Sequence, residues 1–221
     1  MATLTVYPTT GDNDISSSNA VFATAHDATT GTKGTGANSY ILCRNNAGAY
    51  DIYRGFMNFD TSALGAGATV TAVSSFLWSI LHDGTGTLAF WNVFGSTASE
   101  PIVAADYDLV GTTAFSTAKG QAGVTDTAYN SWVWNATGIA AIDQTGVTKV
   151  SYRETVYDVA NTAPAGGNVG YLNYYNSAQA GTSNDPYLEI TYTAGGSAVA
   201  PSVVARRNAG GGVAVGGALN F

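Results

Sequence analysis

Apolar residues in this chain recur at every second position in short runs, and turn-forming residues break those runs at close spacing. Alternation of period two puts successive side chains on opposite faces of a strand. Residues 2–7 (ATLTVY) alternate and end at Pro8; 9–20, centred on GDNDISSSN, read as turn-rich. A strand is expected over 20–25, a Gly/Thr loop over 26–37 and a strand over 38–44. Asn45-Asn46-Ala47-Gly48 supplies a tight reversal, because Asn and Gly tolerate positive φ. The partner strand, 51–59, puts Tyr53, Gly55, Met57 and Phe59 on one face and Ile52, Arg54, Phe56 and Asn58 on the other.

The stretch 50–94 holds the densest strand pattern and is expected to organise the rest. Residues 60–65 break the strand, and 69–82 resume it with Phe76, Trp78 and Ile80 on one face and Leu77 and Leu81 on the other. Asp83-Gly84 between two strand-like runs is the strongest hairpin signal in the chain, and 87–94 is expected to be its antiparallel partner. Residues 95–128 are weakly patterned, with a short strand expected over 112–117. Beyond them, 129–135 (YNSWVWN) alternate, 137–143 suggest a short helix or turn, and 147–159, 169–175 and 185–193 read as strands. About ten short strands without an amphipathic helix predict an all-β fold, an antiparallel β-sandwich of jelly-roll-like form. The composition changes near residue 194, so 1–193 is expected to be the sandwich domain and 194–221 a Gly/Ala/Val-rich C-terminal arm. Such a tail builds no core of its own. Its valines and paired arginines suggest an arm that docks on a partner through Val203, Val204, Arg206, Arg207, Val213, Val215 and Phe221.

Composition narrows the function classes. Charged residues make up 10% of the 221, so Thr, Ser, Asn, Ala and Gly take the surface role, and 27 glycines with 13 tyrosines suit many turns and half-buried strands. A net charge of −7 argues against a basic nucleic-acid groove. The N-terminal MATLTVYPTT lacks the basic and apolar regions of a secretory signal, and no apolar run approaches the roughly 18 residues of a membrane span. The expectation is a protein kept in the cytosol, exported by an unusual route or released when a cell lyses, without a membrane or nucleic-acid partner. The single Cys43, in the apolar run SYILC, reads as a buried structural thiol.

No catalytic constellation stands out. His26 beside Asp27 and His82 beside Asp83 lack metal-ligand spacing and read as solvated loop histidines. Asp12-x-Asp14 resembles the opening of a calcium loop, but the remaining ligand positions fail, which leaves Asp12 and Asp14 as weak calcium candidates and an Asx/Ser turn as the plainer reading. Of the three glutamates, Glu154 and Glu189 fall mid-strand, a poor setting for a glycosidase acid pair. No enzyme is expected. Aromatic rings are the remaining candidates: Trp91, Tyr174 and Tyr175 for stacking on a glycan, with Trp78, Trp132 and Trp134 more simply filling the interior.

RGFMNFDTSALGAGATVTAVSSFLW, together with YNSWVWN, TGIAAID and NDPYLEITY, resembles the DNRLRE-type β-sandwich domain, related to disaggregatase-type carbohydrate-binding modules. The features carrying the likeness are the Arg54-led strand ending in Phe59-Asp60, the small-residue turn after it and the long strand that follows. The resemblance implies a β-sandwich over about 3–193. Stand-alone sandwiches of this kind, acidic and rich in Gly, Ala and Thr, occur among virion proteins of tailed phages. The expectation is therefore a non-enzymatic structural protein on a bacteriophage virion surface, a capsid head decoration that docks through its termini onto the major capsid protein, as a homo-oligomer. The alternative is a carbohydrate-binding module or a receptor-binding tail appendage with a glycan partner.

Overall fold

The computed structural model describes residues 1–9, 11–83, 89–167 and 170–195. The expected all-β sandwich is present. Its strands are β1 (Ala2–Val6), β2 (Asn13–Asn19), β3 (Thr32–Lys33), β4 (Asn38–Asn46), β5 (Ala49–Asp60), β6 (Thr69–Asp83), β7 (Phe90–Ser96), β8 (Val110–Ala114), β9 (Lys119–Gly120), β10 (Ala128–Val133), β11 (Val147–Glu154), β12 (Tyr171–Tyr175) and β13 (Tyr187–Thr193). The two short α-helices are α1 (Phe22–His26) and α2 (Ala136–Ala140). The ladder runs β1-β13-β6-β12-β4-β5-β11-β7-β8, with β10 on β6, β2 on β5, β3 on β2 and β9 on β7, and the described pairs are antiparallel.

This single ladder closes over one main core. Val73 and Leu77 of β6, Trp132 of β10 and Leu188 and Ile190 of β13 pack with Met57 and Phe59 of β5, Val150 and Tyr152 of β11 and Trp91 and Val93 of β7. Three indoles stitch the layers. Trp91 Nε1 donates to the Ile41 carbonyl (3.1 Å), Trp132 Nε1 to the Trp91 carbonyl (3.0 Å) and Trp134 Nε1 to Ser75 Oγ (3.1 Å). A buried indole N–H needs such a partner.

The inward face of β6 is Val73, Ser75, Leu77 and Ser79, while Phe76, Trp78 and Ile80 point outward and are half-buried. The large side chains thus lie on the outer face of this strand. The neighbours explain it: Trp132 lies directly opposite Ser75 on the adjoining β10, Trp134 donates to Ser75 Oγ, and with Tyr152 of β11 these rings take the interior volume beside the two serines. Leu81 shares the numerical parity of Leu77 but is 47% exposed, because the register of β6 against β12 shifts between Ser79 and Leu81 and sets Leu81 opposite the outward Asn173.

β5 is buried on both faces, with the expected division. Met57 and Phe59 join the main core, whereas Ile52 and Phe56 join a second cluster with Ile15, Ala25, Cys43, Ala98, Ile102 and Tyr107. Gly55 permits close approach, since a Cβ there would lie 2.5 Å from the Tyr174 hydroxyl. The β4–β5 reversal is a two-residue hairpin in which Ala47 and Gly48 carry positive φ, one position later than the Asn pair suggested.

Several expectations change. Residues 13–19 form β2 rather than a turn, because Asn13 and Asp14 are satisfied by residues distant in sequence (below) and β5 offers a ladder edge. Residues 22–26 are helix, not strand. β11 stops at Glu154, whose carboxylate accepts from the N–H groups of Val156, Tyr157 and Asp158 and caps one turn of wider helix over Thr155–Val159. β7 does not pair with β6: it lies between β11 and β8, in the opposite layer. The connection after Asp83 is therefore a crossover, and Gly84 lies outside the described residues.

Truncating Leu77 to Ala should lower stability by about 2–5 kcal/mol in urea unfolding, as expected for a core cavity. Phe76→Ala, on the outer face of the same strand, should cost clearly less; the reverse order would contradict this assignment of faces.

Candidate functional site

Three charged side chains, Arg54, Arg153 and Asp158, meet in one buried knot. Asp158 is enclosed and gripped by two guanidinium groups. Arg54 donates through Nη2 to Oδ1 (2.6 Å) and through Nε to both oxygens (3.1 and 3.2 Å); Arg153 donates through Nε to Oδ2 (2.8 Å) and Nη2 to Oδ1 (2.9 Å). The remaining donors are used as well. Arg54 reaches the carbonyls of Tyr107 (3.0 Å) and His26 (3.1 Å), and Arg153 that of Gly111 (3.2 Å). The Tyr107 ring lies 4.3 Å from the Arg54 guanidinium carbon, and its hydroxyl donates to the Ala25 carbonyl (2.9 Å). Burial pushes the Asp158 carboxyl up, but the charges and hydrogen bonds of Arg54 and Arg153 outweigh it and hold it at about 2. Arg54, Arg153 and Asp158 are 2%, 4% and 1% exposed, and their hydrogen bonds cross-link β5, β11, α1 and the 104–111 segment.

The calcium candidates are staples of a similar kind. Asp12 accepts from the N–H (3.2 Å) and hydroxyl of Ser177, and Asp14 Oδ2 accepts from the Tyr40 N–H (2.6 Å). Asn13 Oδ1 accepts from Ser39 Oγ (2.9 Å) and from the Asp14 N–H (2.9 Å). Among the described residues no three His, Cys, Asp or Glu side chains gather where they could hold a metal ion. Burial lifts both Asp12 and Asp14 to about 6, and lifts Glu154 to about 7 despite its three N–H donors.

Neither histidine is a solvated loop residue. His26 sits on α1 with Nε2 donating to the Asp158 carbonyl (2.8 Å) and Nδ1 2.5 Å from Asp27. His82 Nδ1 lies 2.8 Å from Asp126 Oδ1, which also accepts from Ser79 Oγ (3.1 Å). The carboxylate stands between serine and imidazole, so the histidine does not activate the hydroxyl. Burial pushes the Cys43 thiol up and keeps it protonated, as its apolar run suggested.

The stacking candidates divide. Trp91 and Tyr174 are fully buried in the main core and cannot meet a glycan. Tyr175 is half-buried at the end of β12. The reason is the parity of YLNYY: Leu172 and Tyr174 point inward, which turns Tyr171, Asn173 and Tyr175 outward. Register then assembles a surface that sequence reasoning missed. Tyr53 of β5 lies opposite Leu42 of β4, which lies opposite Tyr171 of β12. In the next row Tyr40 lies opposite Asn173, which lies opposite Leu81 of β6. With Arg44 these residues line an open groove of about 460 Å³. The Tyr40 ring meets Tyr53 (5.9 Å between centroids) and Tyr171 (6.1 Å) edge-on. Arg44 is held through Nε by Asp51 (3.0 Å), which in turn accepts from Ser18 Oγ (2.6 Å). The signal was the alternation in SYILCR and YLNYY, invisible as a pair until β4 and β12 were known to be neighbours.

A second outward cluster lies on β6, β10 and β13. Phe76 stacks on Tyr187 (4.4 Å), Tyr129 packs edge-on against Tyr187 (5.1 Å) and Trp78 (5.0 Å), and Tyr7, 45% exposed, adjoins Tyr187 (6.0 Å). The proposed docking residues Val203, Val204, Arg206, Arg207, Val213, Val215 and Phe221 lie outside the described residues. No helix among the described residues is long and apolar enough to cross a membrane. No protein-family model matches the chain, and no curated protein matches it significantly.

Two outcomes follow from these charges. Asp158→Ala should destabilise by about 3–5 kcal/mol, because it leaves two buried arginines without their counter-charge. Asp12, Asp14 and Glu154 bind protons more tightly folded than unfolded, so stability should rise as pH falls from about 8 to about 5. Asp158 works in the opposite sense, its contribution being lost as pH falls from about 4 towards 2. Thermal melts should therefore be highest near pH 4–5.

Proposed function

We propose that this chain is a non-enzymatic structural protein of a bacteriophage virion, a β-sandwich displayed on the particle as a head decoration. The observation that carries the reading is the outward aromatic cluster Tyr7, Phe76, Trp78, Tyr129 and Tyr187. It is a packed aromatic patch on a protein rich in Thr, Ser and Gly, and its natural occupant is a neighbouring subunit of the particle. Loops stapled by buried carboxylates suit a part that must hold its shape on an exposed surface. The 194–221 segment would add contacts through its valines and arginines. Closed assemblies of a displayed sandwich are dimers or trimers.

A second reading, a receptor-binding appendage or carbohydrate-binding module, is favoured by the tyrosine groove. Both are compatible with one chain, since groove and aromatic cluster share no residue, although β6 contributes Leu81 to one and Phe76 and Trp78 to the other.

Gradient-purified particles from the source should contain the chain in stoichiometric amount by mass spectrometry. Tyr129→Ser and a chain ending at Gly195 should stay folded by circular dichroism but attach less in a reconstitution assay. Recovery of the protein only in the particle-free fraction would overturn the reading.

A further inference from the structure

We infer that the open outer edge of β10 is a docking site for a strand from this chain's own C-terminal arm, Val213-Ala214-Val215. The inference concerns a single copy of the chain and is independent of where the protein is displayed.

The site lies in the seam between the two layers. β10 pairs with β6 in one layer, and β9 pairs with β7 in the other. One end of the seam is closed: Ser116 bridges Trp134, and the Asn135 N–H donates to the Phe115 carbonyl (2.6 Å). The other end is closed by Asn130, whose Oδ1 accepts from the Thr125 N–H (2.8 Å) and whose Nδ2 donates to the Thr125 carbonyl (2.9 Å). Between these closures opens a trough of about 420 Å³, with Ser131, Trp132 and Val133 on one side and Ala118, Lys119 and Gly123 on the other.

The strand edge that faces this trough has unused backbone groups. The Trp134 N–H donates to the Val73 carbonyl (2.9 Å). Alternation along an antiparallel ladder then directs the groups of Trp132 to β6 as well, and turns those of Ser131 and Val133 to the outer side. Among the described residues no strand pairs with β10 on that side. Val133 is also 69% exposed. An open edge beside an exposed valine is a template for one more strand.

Three observations name the occupant. The first is fit. The window spans three residues, and Lys119 lies over the Trp132 ring at 5.7 Å, so only a small side chain fits on the inward face of an added strand. Val213-Ala214-Val215 is three residues long and bounded by Gly212 and Gly216. Its alternation puts both valines on the outer face with Val133, and Ala214 inward beside Trp132. The second is reach. The described chain ends at Gly195, where a Cβ would lie 2.6 Å from the Gly67 backbone, just before β6. From there to Val133, which lies opposite Ser74, is about 25 Å along β6 and across two strand spacings. Residues 196–212, rich in Gly, Ala and Ser, have a root-mean-square span of about 23 Å. A linker whose span matches the distance presents its strand at high effective concentration. The third is charge. Arg206 and Arg207 are the only charged residues after Gly195, so the arm carries +2 against −9 on residues 1–195.

The test uses the full chain. In amide hydrogen exchange followed by NMR, the N–H groups of Ser131 and Val133 should exchange about tenfold more slowly than in the full-length Ala214→Pro variant, whose arm strand cannot pair regularly. The amides of β1, the edge strand at the end of the ladder, should not differ between the two. Val133→Cys combined with Val213→Cys or with Val215→Cys should form a disulfide within one chain under mild oxidation, Cys43 being buried. Exchange at Ser131 and Val133 that is indifferent to Ala214→Pro overturns the inference. So does protection that grows with protein concentration alongside a dimer in sedimentation, which would put a second copy on the edge. A disulfide formed only between chains, or by neither pair, overturns it too.

Discussion

A buried aspartate between two buried arginines constrains most of this fold. Charges taken out of water are tolerated only if each is paired and its remaining hydrogen-bonding groups are used. Asp158 meets that demand with both guanidinium groups, and the arginines meet it by reaching the carbonyls of His26, Tyr107 and Gly111. The end of α1 and the 107–111 segment are thereby fixed to β5 and β11. The knot sits beside the second hydrophobic cluster, with the Tyr107 ring over Arg54, so apolar packing and charge satisfaction hold the same loops in place. Removing one partner converts a satisfied cross-link into unpaired buried charge, which is why its members cannot be exchanged singly.

The main core obeys a different rule, one of volume. Bulky Trp91, Trp132, Trp134 and Tyr152 come from β7, β10, its C-terminal end and β11, and the strand that closes over them, β6, turns Ser75 and Ser79 inward. Its own large rings are left outside, where they pack with Tyr129 and Tyr187. An outer aromatic cluster is thus the consequence of an over-supplied interior. The tyrosine groove has a related origin: β4 and β12 send Ile41, Leu172 and Tyr174 to the core, and their alternate positions carry tyrosines and an asparagine to the surface.

These two surfaces differ in kind. The β6/β10/β13 cluster is self-packed and apolar and suits another protein surface. The β4/β5/β12 groove, with Leu81 of β6 at its edge, sets half-buried tyrosine rings beside an arginine already paired with Asp51. The carboxylates that sequence singled out for calcium serve neither: Asp12 and Asp14 tie β2 to Ser177 and Tyr40.

The local pattern alone determined the all-β class, most strand positions after residue 38, the division of the β5 side chains between two faces and the inert buried character of Cys43. These are local properties, since alternation, turn chemistry and apolar neighbours act over a few residues. Tertiary structure decided the rest. It made a strand of NDISSSN, whose polar groups find partners more than twenty residues away. It sent β7 across to the opposite layer, because β6 was already paired with β10, β12 and β13. It buried Trp91 and Tyr174 while exposing Tyr40, Tyr53 and Tyr171, because which parity of a strand faces inward depends on the layer opposite. It also joined Arg54 to Asp158 across 104 positions, a pairing that no local pattern encodes.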